Sequence, residues 1–293
     1  MKKLINAINT LFFVSCILTS SVYAEDMMQI KGSDTLINLV QRLSEVYMQR
    51  NPNKYIAVTG GGSGTGIAAL MNDKCDIANA SRLMKPKEIA RAHNSGIEVK
   101  RVVIAMDGLS VIVNANNPIE KLTLGELGKI FRGEITNWKD LGGKNSPITL
   151  YGRQSNSGTF VFFRDAVLKG EYSQAMKRMN GNAQIVEAVK QDESGIGYVG
   201  VGYVKDASGI TVLSVASQAG GNYANPLNAR DVESGEYPIT RPLNQYLNGT
   251  PKGTVRDFII FELSQKGQKI VEEEGFFPIP VEYKKFNGES VGL

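Results

Sequence analysis

The sequence predicts an α/β protein folded into two lobes with a ligand cleft between them, and three features of the chain predict it. Short strand-like apolar runs alternate with amphipathic helical patterns along most of the 293 residues. The nearly continuous apolar stretch Val102–Asn114 is broken only at Asp107-Gly108, so it is placed to carry the chain from one lobe to the other. A return passage is expected around Tyr203–Ile210, which leaves an outer lobe made from both chain ends and an inner lobe made from the middle. The expected boundaries are 25–107 with 209–293 for lobe 1 and 108–208 for lobe 2. Two lobes joined in this way capture a ligand by hinge closure.

The first residues have the layout of a secretory leader over residues 1–24. Lys2 and Lys3 precede the apolar run Leu11–Leu18, and Val22-Tyr23-Ala24 forms a small-residue cleavage site ahead of Glu25 and Asp26. The apolar run is shorter than the roughly 20 residues a membrane-spanning helix needs, so export into the periplasm is expected. A lipid anchor at Cys16 is the weaker alternative, because Phe13 begins such a box poorly and Cys16 falls inside the apolar core. Cleavage removes two lysines and no carboxylate, taking the formal charge from +4 down by two to +2. That bias, without a basic run or basic-aromatic cluster, gives no support for nucleic-acid binding. It also leaves Cys75 as the only cysteine, read as a small buried residue; no intramolecular disulfide is then possible and stability rests on a conventional core.

Taken in order, Leu36, Leu39, Val40, Leu43, Val46 and Tyr47 recur at the spacing of a helix with one buried face, directly after Gly32-Ser33-Asp34-Thr35. Ile56–Val58 reads as a strand, followed by Gly60-Gly61-Gly62-Ser63-Gly64-Thr65-Gly66 and a helix through Ile67, Leu70 and Met71. Further strands are expected at Val99–Ala105, Ser110–Asn114, Ile148–Tyr151 and Ile196–Val199. The fourth strand leads into Arg153-Gln154-Ser155-Asn156-Ser157-Gly158-Thr159 and a helical pattern at Phe160, Phe163, Val167 and Leu168. Tyr237–Pro242 looks extended, and Val255–Leu263 looks like a late helix. Trp138, after Ile135-Thr136-Asn137, reads as packing.

Three of these strand-to-helix turns are rich in glycine and hydroxyl residues. A helix start carries unpaired N–H groups and partial positive charge, glycines let the backbone approach a ligand, and Arg153 adds a planar fork of donors. One such turn alone reads equally well as an ordinary helix cap with a surface arginine. Three together point to an oxyanion receptor. The glycine loop is not a Walker A motif, because Ile67 stands where the lysine belongs, and it does not match G-x-G-x-x-G. A hydrolase is the rival reading, and it lacks its usual parts. His93 is the only histidine, so a histidine metal cluster is unavailable, and no serine sits in G-x-S-x-G. No metal site or cofactor is expected.

The order and spacing of six segments resemble the phosphate-binding proteins of bacterial phosphate ABC transporters, which have the type 2 periplasmic binding protein fold. The segments are Gly32–Leu36, Gly60–Gly66, Asp76–Arg82, Phe131–Trp138, Arg153–Thr159 and Gly195–Gly200, and the likeness covers nearly the whole mature chain. The resemblance implies inorganic phosphate held without water and delivered to the membrane permease subunits and their ATPase. It assigns Ser33, Thr35, the Leu36 amide, Ser63 and Ser81 to the first lobe's share of the site, and Arg153, Ser157, Gly158 and Thr159 to the second lobe's. The chain departs from the family at Ser81, where well-known members have an aspartate that accepts the ligand's proton and so rejects sulfate. Either Asp34 takes over as acceptor, with a helix N-cap as its other reading, or Ser81 and Arg82 bind in the manner of more distant members. Another oxyanion, sulfate or molybdate, is therefore the alternative ligand. A monomer is expected.

Overall fold

The computed structural model describes residues 27–292, so the leader and Cys16 lie outside them. The chain begins with β1 (Met28–Gly32), a single 3-10 turn at Asp34–Leu36 and α1 (Ile37–Arg50). The period read from the sequence holds: Leu39, Val40, Leu43, Val46 and Tyr47 are all buried. Then come β2 (Ile56–Gly61), α2 (Ser63–Met71), β3 (Ile77–Ala80), α3 (Pro86–Asn94) and β4 (Val99–Gly108). The middle of the chain supplies β5 (Ser110–Asn114), β6 (Lys121–Thr123), α4 (Leu124–Arg132), β7 (Thr149–Arg153) and α5 (Gly158–Phe163), which widens into a π-helical stretch at Arg164–Leu168. It continues with β8 (Lys177–Met179), α6 (Asn182–Gln191), β9 (Gly195–Val199), β10 (Ile210–Val212), β11 (Ser214–Ala216) and α7 (Ala229–Glu233). The last elements are β12 (Thr240–Asn248), α8 (Gly253–Leu263), α9 (Gln265–Glu273) and α10 (Val281–Val291).

Each lobe is built on a five-stranded sheet, ordered β2-β1-β3-β12-β4 in the first and β10-β5-β9-β7-β8 in the second. β1 pairs in parallel with both β2 and β3, so the carboxyl ends of three strands lie together at one edge. β12 runs antiparallel between β3 and β4, with Thr240 opposite Gly108 and Arg241 opposite Asp107. β4 of the first sheet ends at Gly108 and β5 of the second begins at Ser110, so the chain passes from one sheet to the other at Gly108–Leu109. The return comes later than expected. β10 pairs with β5 and β11 pairs with β6, which puts Ile210–Ala216 with the second lobe. The chain comes back at Ile239–Thr240, where the Leu109 amide donates to the Ile239 carbonyl at 2.9 Å. The two crossings thus lie side by side.

The second lobe's core is aromatic: Phe163 stacks on Tyr198 with centroids 4.1 Å apart, and Phe131 meets Phe163 edge-on at 5.0 Å. Trp138 is buried there, its Nε1 donating to the Ser194 carbonyl at 3.0 Å, which is the packing role its context suggested. The first lobe buries more polar groups. Gln245 on β12 donates through Nε2 to Glu262 Oε1 on α8 at 3.0 Å, and both side chains are fully buried. Gln245 Oε1 and Glu262 Oε2 have no hydrogen-bond partner. Both are acceptors left unmatched, and a proton on the carboxyl would turn Glu262 into a donor. Burial pushes Glu262 well above its ordinary 4.5, and only the Gln245 hydrogen bond opposes it.

A carboxyl protonated in the folded chain and ionised in the unfolded one makes stability fall as pH rises above the unfolded value. Glu262→Gln keeps the shape and removes the charge. The variant is expected to melt higher than the wild type, by roughly 2–4 °C for each kcal/mol relieved, with a gap that widens from about pH 5 to about pH 8. Melting curves across that range check it; a pH-independent gap shows that Glu262 does not set the slope.

Candidate functional site

The predicted turns meet at the seam between the lobes, for reasons visible in the sheet order. Ser33 directly follows β1 and Ser81 directly follows β3, and these are neighbouring parallel strands. Ser63 opens α2 after β2. All three hydroxyls therefore gather outside the carboxyl ends of the strands, the usual ligand position in open α/β sheets. Ser33 Oγ donates to Ser81 Oγ at 2.9 Å, and Ser63 Oγ accepts from the Ser81 amide at 3.1 Å. From the other lobe Thr159 Oγ1 lies 3.0 Å from Thr35 Oγ1 and 3.4 Å from Ser81 Oγ. Ser33, Thr35, Ser63, Ser81, Ser157 and Thr159 are all buried.

Glycine is required where the lobes touch. A Cβ on Gly158 would stand 2.2 Å from Ser63 Oγ and 2.8 Å from Ser81 Oγ. Gly62, at φ +93, would bring a Cβ to 2.9 Å from the Asn156 carbonyl. Two hydrogen bonds pin the same contact, with the Asn156 side-chain Nδ2 donating to the Gly61 carbonyl at 2.8 Å and the Gly64 amide donating to the Asn156 carbonyl at 2.9 Å.

Arg153 ends β7 and is only 2% exposed, so it is not a surface charge. The Tyr198 hydroxyl receives its amide hydrogen at 3.2 Å, and its Nη2 donates to the Asn180 carbonyl at 2.7 Å. The same Nη2 forms an ion pair across the seam with Asp34 Oδ2. Its Nε and Nη1 are buried and have no hydrogen-bond partner in the protein. Asp34 Oδ1 accepts from the Gly61 amide at 2.9 Å, so this carboxylate bridges the glycine loop and the arginine and is not a helix cap. Tyr203 Oη donates to the Asp34 carbonyl at 2.6 Å. Burial and then the Asp34 charge push that phenol up to about 12, so it remains a neutral donor.

Three of the hydroxyls accept hydrogen bonds from N–H groups. Ser157 Oγ accepts from the Thr159 and Phe160 amides at 3.2 and 3.4 Å, as a helix cap does. Ser63 Oγ accepts from an amide as well, and Thr159 Oγ1 accepts from Arg241 Nη2 at 3.1 Å. A hydroxyl has one proton and two lone pairs. With lone pairs filled by N–H donors, each of these groups has its own proton to give, and the cluster becomes a set of donors.

Two candidates do not join the cluster. Arg82 makes a bidentate pair with Glu88 at 2.7 and 2.8 Å and donates to the Leu83 carbonyl, so its charge is spent on the start of α3. The Leu36 amide donates to the Ser33 carbonyl at 3.2 Å within the 3-10 turn, and the Leu36 side chain is in the core. His93 is exposed in the last turn of α3, and no cluster of three metal-ligating side chains occurs among the described residues. Cys75 is buried, with its thiol pushed up to about 12 by burial.

Sequence reading missed Arg241 and Asp107. Arg241 is 2% exposed and Asp107 fully buried; Arg241 Nε and Nη2 donate to Asp107 Oδ2 at 2.9 and 2.7 Å. Burial holds the Arg241 pKa below its ordinary value, and the Asp107 charge opposes that shift. Two signals were available: Asp107 interrupts the apolar run at the crossing, and Arg241 interrupts the extended Tyr237–Pro242 segment.

Comparison with known proteins agrees with this architecture. The family model for a PBP superfamily domain matches residues 20–266. A Pseudomonas aeruginosa protein named phosphate-binding protein PstS is 32% identical over 280 residues, covering 89% of this chain and 86% of its own. A Clostridium perfringens protein solved with bound phosphate superposes with a TM-score of 0.79 at 28% identity, covering 87% of this chain and 100% of that one. An ABC-type phosphate transport receptor from Vibrio cholerae superposes at 0.69 with 26% identity, covering 86% and 100%. Matched by that family model over most of its length and by a relative 32% identical over 89% of it, the chain belongs to the PBP superfamily, in the family of the phosphate-binding proteins PstS.

Proposed function

We propose that the chain is an extracytoplasmic solute-binding protein that captures inorganic phosphate between its lobes and delivers it to the permease of an ABC transporter. It works as a monomer and catalyses no reaction. The observation that carries this reading is Arg153: a buried guanidinium with two N–H-bearing nitrogens unpartnered, at a seam lined with buried hydroxyls. Buried donors without acceptors are costly, and an oxyanion satisfies them all at once. The names of the relatives supply phosphate as the ligand and a transporter as the partner. Among the described residues no helix is long and apolar enough to cross a membrane, so transport needs that partner.

In this reading the first lobe contributes Ser33, Thr35, Ser63 and Ser81, and the second contributes Arg153, Ser157, Thr159 and the Gly158 backbone. Asp34 is the one carboxylate paired with Arg153 and takes the place of the family's aspartate as acceptor of the phosphate proton.

Three outcomes follow. Arg153→Ala weakens phosphate binding by roughly thirtyfold or more, since a buried ion loses its charge partner; calorimetry showing a loss of only a few-fold removes Arg153 from the site. Gly158→Ala costs roughly tenfold or more in phosphate affinity, because its methyl group meets Ser63 and Ser81. Each lobe still folds, so a melting temperature near wild type should accompany the loss. The wild type takes phosphate in preference to sulfate, and Asp34→Asn brings the two affinities together. Equal phosphate and sulfate heats in the wild type would mark a general oxyanion site.

A further inference from the structure

Arg241 sits opposite Asp107 in the β12–β4 register, at the point where both crossings pass between the lobes. Directly paired side chains on antiparallel strands lie on one face within reach of each other, and here two guanidinium nitrogens donate to one buried carboxylate oxygen, Asp107 Oδ2. The pair touches more than its own sheet. Asp107 Oδ1 accepts from the Val201 amide, just beyond β9 of the second lobe, at 2.9 Å. Arg241 Nη1 donates to the Ser81 carbonyl at 2.9 Å, and the guanidinium lies 5.2 Å from the Phe162 ring of the second lobe. The remaining contact is Nη2 to Thr159 Oγ1 at 3.1 Å.

Guanidinium nitrogens only donate. Thr159 Oγ1 is therefore fixed as the acceptor in that bond, and its single proton has to point elsewhere, toward Thr35, Ser81 and the space they border. We propose that Arg241, held by Asp107, is a positioning residue of the anion site: it sets the Thr159 hydroxyl as a donor to the ligand and brings a second buried positive charge to the cluster. This rests on the phosphate-receptor reading and adds a residue outside the three glycine-and-hydroxyl turns. It also makes the crossing strands part of the site, because the same guanidinium joins the Ser81 carbonyl of one lobe to Thr159 of the other.

The test is a double-mutant cycle in phosphate affinity, measured by calorimetry on the full mature chain: wild type, Arg241→Gln, Thr159→Val and the two combined. If Arg241 acts through the Thr159 hydroxyl, each single change weakens binding roughly ten- to a hundredfold, and the combination loses little more than the larger single effect. Losses that multiply overturn the proposal, as does an Arg241→Gln variant that binds like the wild type. Arg241→Gln leaves Asp107 without its ion-pair partner, so the cycle is repeated on an Asp107→Asn background, which removes the buried charge. If every Arg241 variant fails to fold, Thr159→Ser and Thr159→Val decide. Serine keeps the oriented hydroxyl and should stay within a few-fold of wild type, whereas valine should not; equal losses overturn the proposal. A wild type that takes no phosphate overturns the receptor reading itself, a result distinct from a binding wild type whose cycle multiplies.

Discussion

Charge taken out of water must be met by charge or by hydrogen bonds, and this constraint organises the seam between the lobes. Arg153 and Arg241 are both buried there, each held by a carboxylate, Asp34 in one case and Asp107 in the other. The two pairs are not equivalent. Arg153 and Asp34 come from different lobes, so their contact exists only when the lobes are together. Arg241 and Asp107 come from neighbouring strands of one sheet, so that pair persists at any lobe angle. One pair reports closure and the other provides a fixed floor.

The fold makes the floor possible. A strand that enters the first sheet between β3 and β4 brings Arg241 alongside Asp107, one residue from the crossing at Gly108–Leu109. Tyr237 reinforces the crossing by donating to the Leu109 carbonyl at 2.6 Å. The parallel β1 and β3 end at Ser33 and Ser81, beside the same place. Strand order, more than any local motif, puts hydroxyls from four turns and an arginine from a fifth segment within hydrogen-bond reach.

That division explains what could be read from the sequence. The turns at Ser33, Ser63 and Ser157 were legible because helix starts leave a local signature of glycine and small hydroxyls. α1 was legible because its apolar period is long. β12 was not: Thr240–Asn248 contains Pro242, Asn244 and Gln245, and a strand that buries polar side chains against Glu262 has no apolar alternation to reveal it. β3 is four residues long with Asn79 inside it, and Met28–Gly32 alternates too briefly. The late return crossing was hidden because β10 and β11 are three residues each, and pairing with β5 and β6 leaves no mark on such short runs. The alternatives for Arg82 stayed open in the sequence because its partner Glu88 is as local as any ligand contact would be. An arginine beside a binding turn looks the same in sequence whether it faces the ligand or the next helix.

The hydroxyls also bear on how closure and binding are coupled. Thr35 and Thr159 bond each other across the seam, and Ser81 reaches Thr159 as well. These are neutral bonds, each of modest net value. In the proposed reading, an anion among the same groups would exchange them for charge-assisted bonds, roughly twice as strong, and would meet the Arg153 nitrogens that the protein leaves unmatched. On that reading the gain from binding would fall on the arrangement in which donors of both lobes are in reach, and not on either lobe alone. A ligand shifts a two-state equilibrium only by its differential affinity for the two states, and a site divided between lobes makes that difference nearly the whole of the binding energy.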